Sequence, residues 1–461
     1  MRNKRQNNQL ELAFMIESKG EARATVVEGT ESRVAEDPPQ SPALDRQLME
    51  EVCERENLKK ALERVKANQG SPGIDGMTVD QLPEYLRSHW PTIRGQLLSG
   101  VYRPQPVKRV EIAKPGGGVR KLGIPTVVDR FIQQAVMQIL QSRWDPTFSP
   151  HSYGFRPGRS AHQAIAQAQK HIAEGYRYVV DIDLEKFFDR VCHDKLMGLI
   201  AKRVGDKRIL KLIRAFLTAG VMENGLVSPS DEGTPQGGPL SPLLSNLMLD
   251  LLDKELERRG HRYCRYADDC NVYVQSWRAG ERVMKSISGF ITSQLKLKVN
   301  VEKSAVARPW ARKFLGFSFT SGTKPKRRIA PQALNRFRER VRELTQRTRG
   351  VNLKEMIEEL AIYLKGWRGY FAFSETSTVL QRLDQWIRRR LRCFVWKQWK
   401  TGHRRYVELR KRDVGDKLAE QTAGSNQGPW HISMSPALSI ALSDAYFDAI
   451  GLPRLSDKRR A

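Results

Sequence analysis

The feature that most narrows what this chain can fold into is a pair of adjacent carboxylates set at the tip of an apolar hairpin. In Arg265-Tyr266-Ala267-Asp268-Asp269-Cys270 and the residues after it, Cys270, Val272 and Val274 alternate with Asn271, Tyr273 and Gln275. Two neighbouring acidic groups on a rigid turn repel each other unless a cation lies between them or a basic group pairs with them. Taken alone, such a pair more often marks a solvated turn. A second strand shifts the balance. In Tyr178-Val179-Val180-Asp181-Ile182-Asp183-Leu184, the residues Tyr178, Val180, Ile182 and Leu184 face one way and Val179, Asp181 and Asp183 the other. A strand interior is a poor place for two like-facing carboxylates unless something cationic lies opposite. Strand carboxylates beside a hairpin-tip pair suit two Mg²⁺ ions that clamp the attacking and leaving oxygens of a phosphoryl transfer.

Composition agrees with a polyanionic partner. Lys and Arg number 79 against 51 Asp and Glu, a net charge of +28 on 461 residues, while 40% of residues are apolar. The chain is therefore globular and not a disordered polycation. Passive nucleic-acid binders share this balance, so charge alone does not indicate an enzyme. Cys53, Cys192, Cys264, Cys270 and Cys393 are scattered, with no paired spacing that would suit a disulfide framework or a zinc site. The apolar runs fall short of the roughly 18 residues a membrane span needs. Met1–Leu10 is polar, which predicts no signal peptide, no membrane partner and a cytoplasmic protein.

Along the chain, residues 1–45 carry 6 basic and 8 acidic side chains and read as a weakly ordered lead-in. Leu48, Val52, Leu58, Leu62 and Val65 predict one helix from Asp45 to Asn68, ended by the turn-rich run Gly70–Gly76. Residues 100–320 mix short β-rich runs with helical patterns. From Pro325 onward the spacing is helical: Leu334, Phe337, Val341 and Leu344, then Leu353 to Phe371, then Leu380 to Trp399. That stretch holds 29 basic and 14 acidic residues, over half of the excess charge.

Further motifs carry chemistry with lower specificity. Arg109 to Leu122 reads as a basic hairpin around Gly116-Gly117-Gly118, and Gly233 to Pro242 is too rich in glycine and proline for a helix. Ser152 to Ser160 mixes aromatics with Arg156 and Arg159, as a template-binding loop or a packed turn would. Arg388, Arg389, Arg390 and Arg392 cannot share one helix stripe, so part of that run faces something other than core; RNA is the preferred partner and a solvated face the alternative.

Tyr266-Ala267-Asp268-Asp269, Asp183-Leu184-Glu185-Lys186-Phe187-Phe188-Asp189, Phe314-Leu315-Gly316-Phe317 and Tyr363-Leu364-Lys365-Gly366-Trp367-Arg368-Gly369-Tyr370-Phe371, in that relation to the other blocks, resemble the bacterial group II intron-encoded reverse transcriptases and maturases from about Asp45 onward. The resemblance implies an RNA-dependent DNA polymerase that binds group II intron RNA, assists its splicing and copies it into DNA during intron mobility. It implies a metal site of Asp183, Asp268 and Asp269 with Ile182 beside them, holding Mg²⁺, and it chooses Asp183 over Asp181, which alternation does not. Lys114 and Arg120 are implied to hold the triphosphate, Gln236 to lie beside the nucleotide sugar and base, and Phe188 to block a ribose 2′-hydroxyl, with Phe187 in the core. Lys303 is a candidate to assist the pyrophosphate leaving group.

The implied fold is α+β: a right-hand polymerase with fingers and palm, followed by an all-helical thumb or maturase domain. The expected parts are 1–45 as lead-in, 46–100 as N-terminal extension, 101–320 as fingers and palm, 325–400 as thumb and 401–461 as a basic region and candidate DNA binder. Expected partners are intron RNA, an RNA template with a DNA primer, target DNA and deoxynucleoside triphosphates. Longer family members carry a nuclease steadied by cysteine pairs. No cysteine follows Cys393 and His431 is the one histidine past Arg412, so the expectation is the form without that nuclease. A binding-only maturase, or a relative from a retron or a CRISPR system, are the competing readings.

Overall fold

The computed structural model describes residues 47–113, 118–223, 226–228, 232–234 and 237–456, with Arg120 known by its backbone. Lys114, Gln236 and the side chain of Arg120 lie outside the described residues, as do residues 1–45 and the final Lys458-Arg459-Arg460.

The chain starts with α1 (Leu48–Val52), α2 (Arg55–Asn68) and α3 (Leu82–Leu98), then β1 (Val107–Ala113), β2 (Val119–Ile124) and α4 (Val127–Trp144). Next come α5 (Ala161–Ala173), β3 (Tyr178–Ile182), α6 (His193–Ala201), α7 (Lys207–Thr218), β4 (Val221–Glu223) and β5 (Leu226–Ser228). These are followed by α8 (Ser241–Arg258), β6 (Arg262–Tyr266), β7 (Asp269–Val274), α9 (Trp277–Phe290) and β8 (Ala305–Ala307). The rest is β9 (Phe317–Phe319), β10 (Arg327–Ile329), α10 (Pro331–Leu344), α11 (Leu353–Phe371) and α12 (Ser377–Gln398). Short helices α13 (Gly402–Arg410), α14 (Asp416–Ala423), α15 (Pro429–Ile432), α16 (Pro436–Ala441) and α17 (Asp444–Ala449) close it. The described residues form two compact units, one from residues up to 164 with 179–306 and the other from 165–178 with those from 307 onward. Residues 307–320, expected with the strands, pack within the second unit.

In the first unit the single helix expected over 45–68 is broken. Glu54 is extended at φ −64, ψ 139, and the buried Asn57 donates its side-chain amide to Val52 O at 2.9 Å, satisfying a carbonyl that the break exposes. One sheet runs β2-β1-β4-β5, with β1 and β2 an antiparallel hairpin and β4 parallel to β1. The other runs β6-β7-β3-β8. Its strand β7 is covered on both sides: Cys270, Val272 and Val274 are buried, and so are Asn271 and Tyr273. The alternation in the sequence thus separates two buried faces, which a rigid platform under a turn requires. Helix α8, opened by Pro242 and buried along most of its length, packs on β6.

The second unit has one core. Phe337, Val341, Leu360, Leu364, Ile387 and Phe394, the predicted stripes of α10 to α12, share it with Leu438, Phe447 and Leu455 from the tail. Helices α13, α16 and α17 begin at side-chain caps: Thr401, Ser435 and Ser443 each accept a hydrogen bond from the N–H three residues on. Helix α11 also anchors the turn before β9. Tyr370 donates its hydroxyl to Leu315 O at 2.7 Å, and a Cβ at Gly316 would lie 3.3 Å from the Phe371 ring. Among the described residues no helix is long and apolar enough to cross a membrane.

Candidate active site

The hairpin β6–β7 pairs Tyr266 with Asp269, leaving Ala267-Asp268 as a two-residue loop. Such a loop needs positive φ at its first residue in the turn types that match strand twist, and Ala267 sits at φ 56. The turn is backed by the segment 151–154: Tyr153 N donates to Arg265 O at 2.9 Å and Arg265 N to His151 O at 3.0 Å. Gly154 is obligatory there, because a Cβ would lie 2.3 Å from Ala267 N.

Asp183 follows the last residue of β3 and is held by the segment 300–304. Its N–H donates to Ser304 Oγ at 3.0 Å, and its carbonyl accepts from Asn300 N at 2.8 Å. Burial separates the two strand carboxylates: Asp181 is 9% exposed, whereas the Asp183 side chain keeps 43% of its surface. Strand β3 is hydrogen-bonded beside β7 in the sheet, and burial above all pushes the Cys270 thiol well up. Ile182 is fully buried, so only its main chain can face a ligand.

Among the described residues no three acidic, His or Cys side chains close into a ready cage. Lys303 is the cation that faces Asp183, its Nζ 3.9 Å from Oδ2. Hard carboxylate oxygens on a half-exposed aspartate and a half-buried turn still fit Mg²⁺, which binds through one or two carboxylates and leaves its other positions to water and phosphate. The donor chemistry fits an open site that substrate completes.

Beyond Asp183, Lys186 turns at φ 48 into a 3₁₀ turn, Phe187–Asp189. Phe187 is buried at 2% exposure; Phe188, in edge contact with it, is half-exposed. Thr234 N donates to Phe188 O at 2.6 Å, which seats the glycine-rich loop on this turn. Phe188 lines two cavities. One of about 500 Å³ also has Arg109, Lys121, Lys186, Arg190 and Thr234 on its wall. The other, about 810 Å³, is walled by Arg64, Gly70, Arg130, Phe155, Gly237 and Gly238.

Two profiles match the chain: residues 112–319 that of "Reverse transcriptase (RNA-dependent DNA polymerase)" and residues 334–412 that of "Group II intron, maturase-specific domain". Protein YkfC of Escherichia coli K12 is 32% identical over 299 residues, 56% of this chain and 78% of that one. The group II intron-encoded protein LtrA of Lactococcus lactis subsp. cremoris is 41% identical over 181 residues, 39% of this chain. The chain belongs to the group II intron-encoded reverse transcriptase/maturase family. Its match spans 29% of LtrA's length, and 26% of the putative COX1/OXI3 intron 2 protein of Saccharomyces cerevisiae, which is 29% identical over 235 residues, 50% of this chain. The strand-rich unit is thus a reverse transcriptase palm and fingers, and α10 to α13 carry the maturase domain.

Within this reverse transcriptase the arginines expected on RNA have other partners. Arg156 is buried; its Nε donates to Asp145 Oδ1 at 2.8 Å and its Nη1 to Ser149 O and Ser152 O, so it staples its own loop and is not a template contact. Arg388 is 2% exposed and ion-paired with Asp384, Asp444 and Asp448, which likewise removes it from the surface. Arg389 lies 4.0 Å over the Trp430 ring, Arg390 donates to Thr345 Oγ1 at 2.7 Å, and Arg392 donates to Leu442 O at 2.9 Å. Arg389 and Arg392 thus reach the tail of their own unit and Arg390 the end of α10, while all three stay partly exposed. Arg159 is exposed, 5.8 Å from the Tyr153 ring centroid.

Sequence reasoning missed Arg265, which is buried beneath the Ala267-Asp268 turn against Asp253. Burial alone would lower the guanidinium's pKa; the Asp253 carboxylate opposite more than offsets it, so the net direction is up. The signal was present, since a charge inside a strand demands a partner, the same rule that flagged Asp183.

Proposed function

We propose that this chain copies RNA into DNA by nucleotidyl transfer at Asp183, Asp268 and Asp269, that its cation is Mg²⁺, and that its template includes a group II intron RNA whose splicing it assists. The observation that supports this is the pairing of β3 beside β7 in the buried palm sheet, with the half-exposed Asp183 directly after β3 and the Asp268-Asp269 turn at the start of β7. Bound there, Mg²⁺ would acidify the primer 3′-hydroxyl and offset the charge that grows on the transferred phosphate. Asp183 and the two turn aspartates hold the cations, with the main chain of Ile182 beside them. Lys303 balances Asp183 and stands ready to neutralise pyrophosphate as it leaves. Phe188 closes the space a 2′-hydroxyl would need, while Lys114 and Arg120 neutralise the triphosphate and Gln236 contacts sugar and base. Exposed cations such as Arg159, with Arg389, Arg390 and Arg392 where their edges reach solvent, meet RNA phosphates. The region 401–461 touches target DNA, and the protein works in the cytoplasm.

The test is primer extension on an RNA template with deoxynucleoside triphosphates and Mg²⁺. Asp183→Ala and Asp269→Ala should each lose several orders of magnitude in rate, with group II intron RNA binding retained. Asp183→Ala extending at near the parent rate would overturn the assignment.

A further inference from the structure

The turn between β6 and β7 is braced from two sides. Asp268 and Asp269 repel each other, and Ala267 is held at a positive φ that a side-chain-bearing residue seldom takes. On its N–H side the backbone of Gly154 presses against Ala267. On its carbonyl side stands Arg265, whose Nη1 donates to Ala267 O at 2.9 Å.

A guanidinium has five N–H donors in a fixed fork, and here each one has an acceptor. Nε donates to Asp253 Oδ1 at 2.7 Å and Nη2 to Asp253 Oδ2 at 2.5 Å. Nη1 also donates to Asn246 Oδ1 at 3.1 Å, and Nη2 to Ser152 Oγ at 2.7 Å. Asn246 closes the circuit by donating its amide to Gly154 O at 2.9 Å. The pair is shut away from water, with side-chain exposures of 1% and 0%. Asp253 and Asn246 sit on the buried helix α8, so the turn is referenced to a rigid element.

We infer that Arg265 is a positioning residue for the metal site: braced on Asp253, it pins the Ala267 carbonyl and so fixes how far apart Asp268 and Asp269 present their oxygens to a divalent cation. This rests on the site assignment proposed above. An ammonium cannot do the same, because it lacks the planar fork that spans Asp253, Ser152 and the carbonyl at once. The effect is geometric, since the Arg265–Asp253 pair is electrically balanced. Groups that orient metal ligands without touching the metal typically govern about 10–100-fold in metal affinity or activity.

The experiment titrates Mn²⁺ into the full-length protein without nucleic acid, following unbound Mn²⁺ by electron paramagnetic resonance, beside thermal melting and primer extension. Arg265→Lys should need about tenfold or more Mn²⁺ for half-saturation, with extension kcat reduced to match and the deoxynucleotide KM changed less than about twofold. Should Arg265→Lys not fold, Ser152→Ala tests the same circuit, since it removes one acceptor of Nη2; it should melt close to the parent and still bind Mn²⁺ several-fold more weakly. Parent-like Mn²⁺ titrations in these variants, with extension lowered only in proportion to the folded fraction, would make the network a plain structural ion pair. Asp269→Asn keeps the two ideas apart. A weakened Asp269→Asn beside unchanged Ser152→Ala and Arg265→Lys sinks this proposal alone, whereas an unchanged Asp269→Asn sinks the site assignment and the proposal with it.

Discussion

Arg388→Ala discriminates between a phosphate-gripping arginine and a buried strut. The guanidinium is 2% exposed, with Nη2 2.9 Å from Asp448 Oδ1, Nε 3.3 Å from Asp444 Oδ1 and Nη1 3.5 Å from Asp384 Oδ1. Removing one partner of a buried ion pair costs about 3–5 kcal/mol, mostly from the charge left behind. Here the stranded charges are partly provided for. Asp384 still accepts from Leu455 N and Ser456 N, both at 2.9 Å, and from Ser456 Oγ at 2.6 Å, while Asp448 keeps Arg454. Asp444 is half-exposed and returns to water. The cost therefore falls at the low end, about 3 kcal/mol, which for a unit of this size lowers the apparent Tm by about 6–12 °C.

Intron RNA binding measured on the folded protein between low and moderate salt supplies the second readout. A lost phosphate contact flattens the slope of log affinity against log salt by about 0.7–0.9; Arg388→Ala should leave the slope unchanged. A variant that melts within about a degree of the parent and flattens the slope by close to one would refute the reasoning and return Arg388 to RNA.

Three further outcomes follow from the first unit. Phe188→Ala should raise ribonucleotide incorporation relative to deoxyribonucleotide with little change in melting, whereas Phe187→Ala should cost about 3–5 kcal/mol of stability; an unchanged nucleotide preference in Phe188→Ala returns that ring to the core. Gly154→Ala should lower extension by about a hundredfold, because its Cβ would push Ala267 out of place, and a near-parent rate would show that the turn tolerates displacement. Burial works against ionised Asp206, but hydrogen bonds from the Arg208 side chain and from Met49 N and Arg208 N outweigh it, so its pKa is lowered. A depressed carboxyl stabilises the fold above its unfolded pKa near 4 and loses that contribution as pH falls through the folded value. The Tm gap between parent and Asp206→Asn should accordingly be wide at pH 7 and close below about pH 4; a gap that persists at pH 2 would contradict it.

The parts of the site legible in the sequence are those where local pattern and chemistry coincide. Adjacent aspartates between alternating apolar residues specify a hairpin tip whatever surrounds it, and the structure has that hairpin with its two-residue loop. Alternation put Asp181 and Asp183 on one face and had no means of telling them apart; the fold buries Asp181 and leaves Asp183 half-exposed, a difference that depends on neighbours distant in sequence. The break at Glu54 was illegible because the group that makes it tolerable, Asn57, also binds Ala135 O on a helix far along the chain. Arg156 and Arg388 were misassigned for a related reason: a basic side chain looks the same in sequence whether its acceptor is a phosphate or an aspartate 60 residues away.

Moving those arginines inside the fold does not weaken the case for a polyanionic partner. An arginine buried against an aspartate withdraws one charge of each sign, so the C-terminal excess of 29 basic over 14 acidic residues is conserved and falls on the cations that remain outside. Lys397, Lys400, Arg404, Arg410 and Lys411 are exposed around the end of α12 and along α13, where Glu408 is engaged by Arg412. Inward-facing arginines of the same stretch clamp aromatic rings, Arg405 over Trp396 at 4.6 Å and Arg412 over Trp399 at 5.2 Å, and so stiffen the helices on which the outer cations stand. A basic surface held rigidly loses less side-chain and backbone freedom when it meets RNA than the same charges on a loose chain would. The buried arginines thus support the basic surface through the scaffold, so their removal should register in melting and leave the salt slope unchanged.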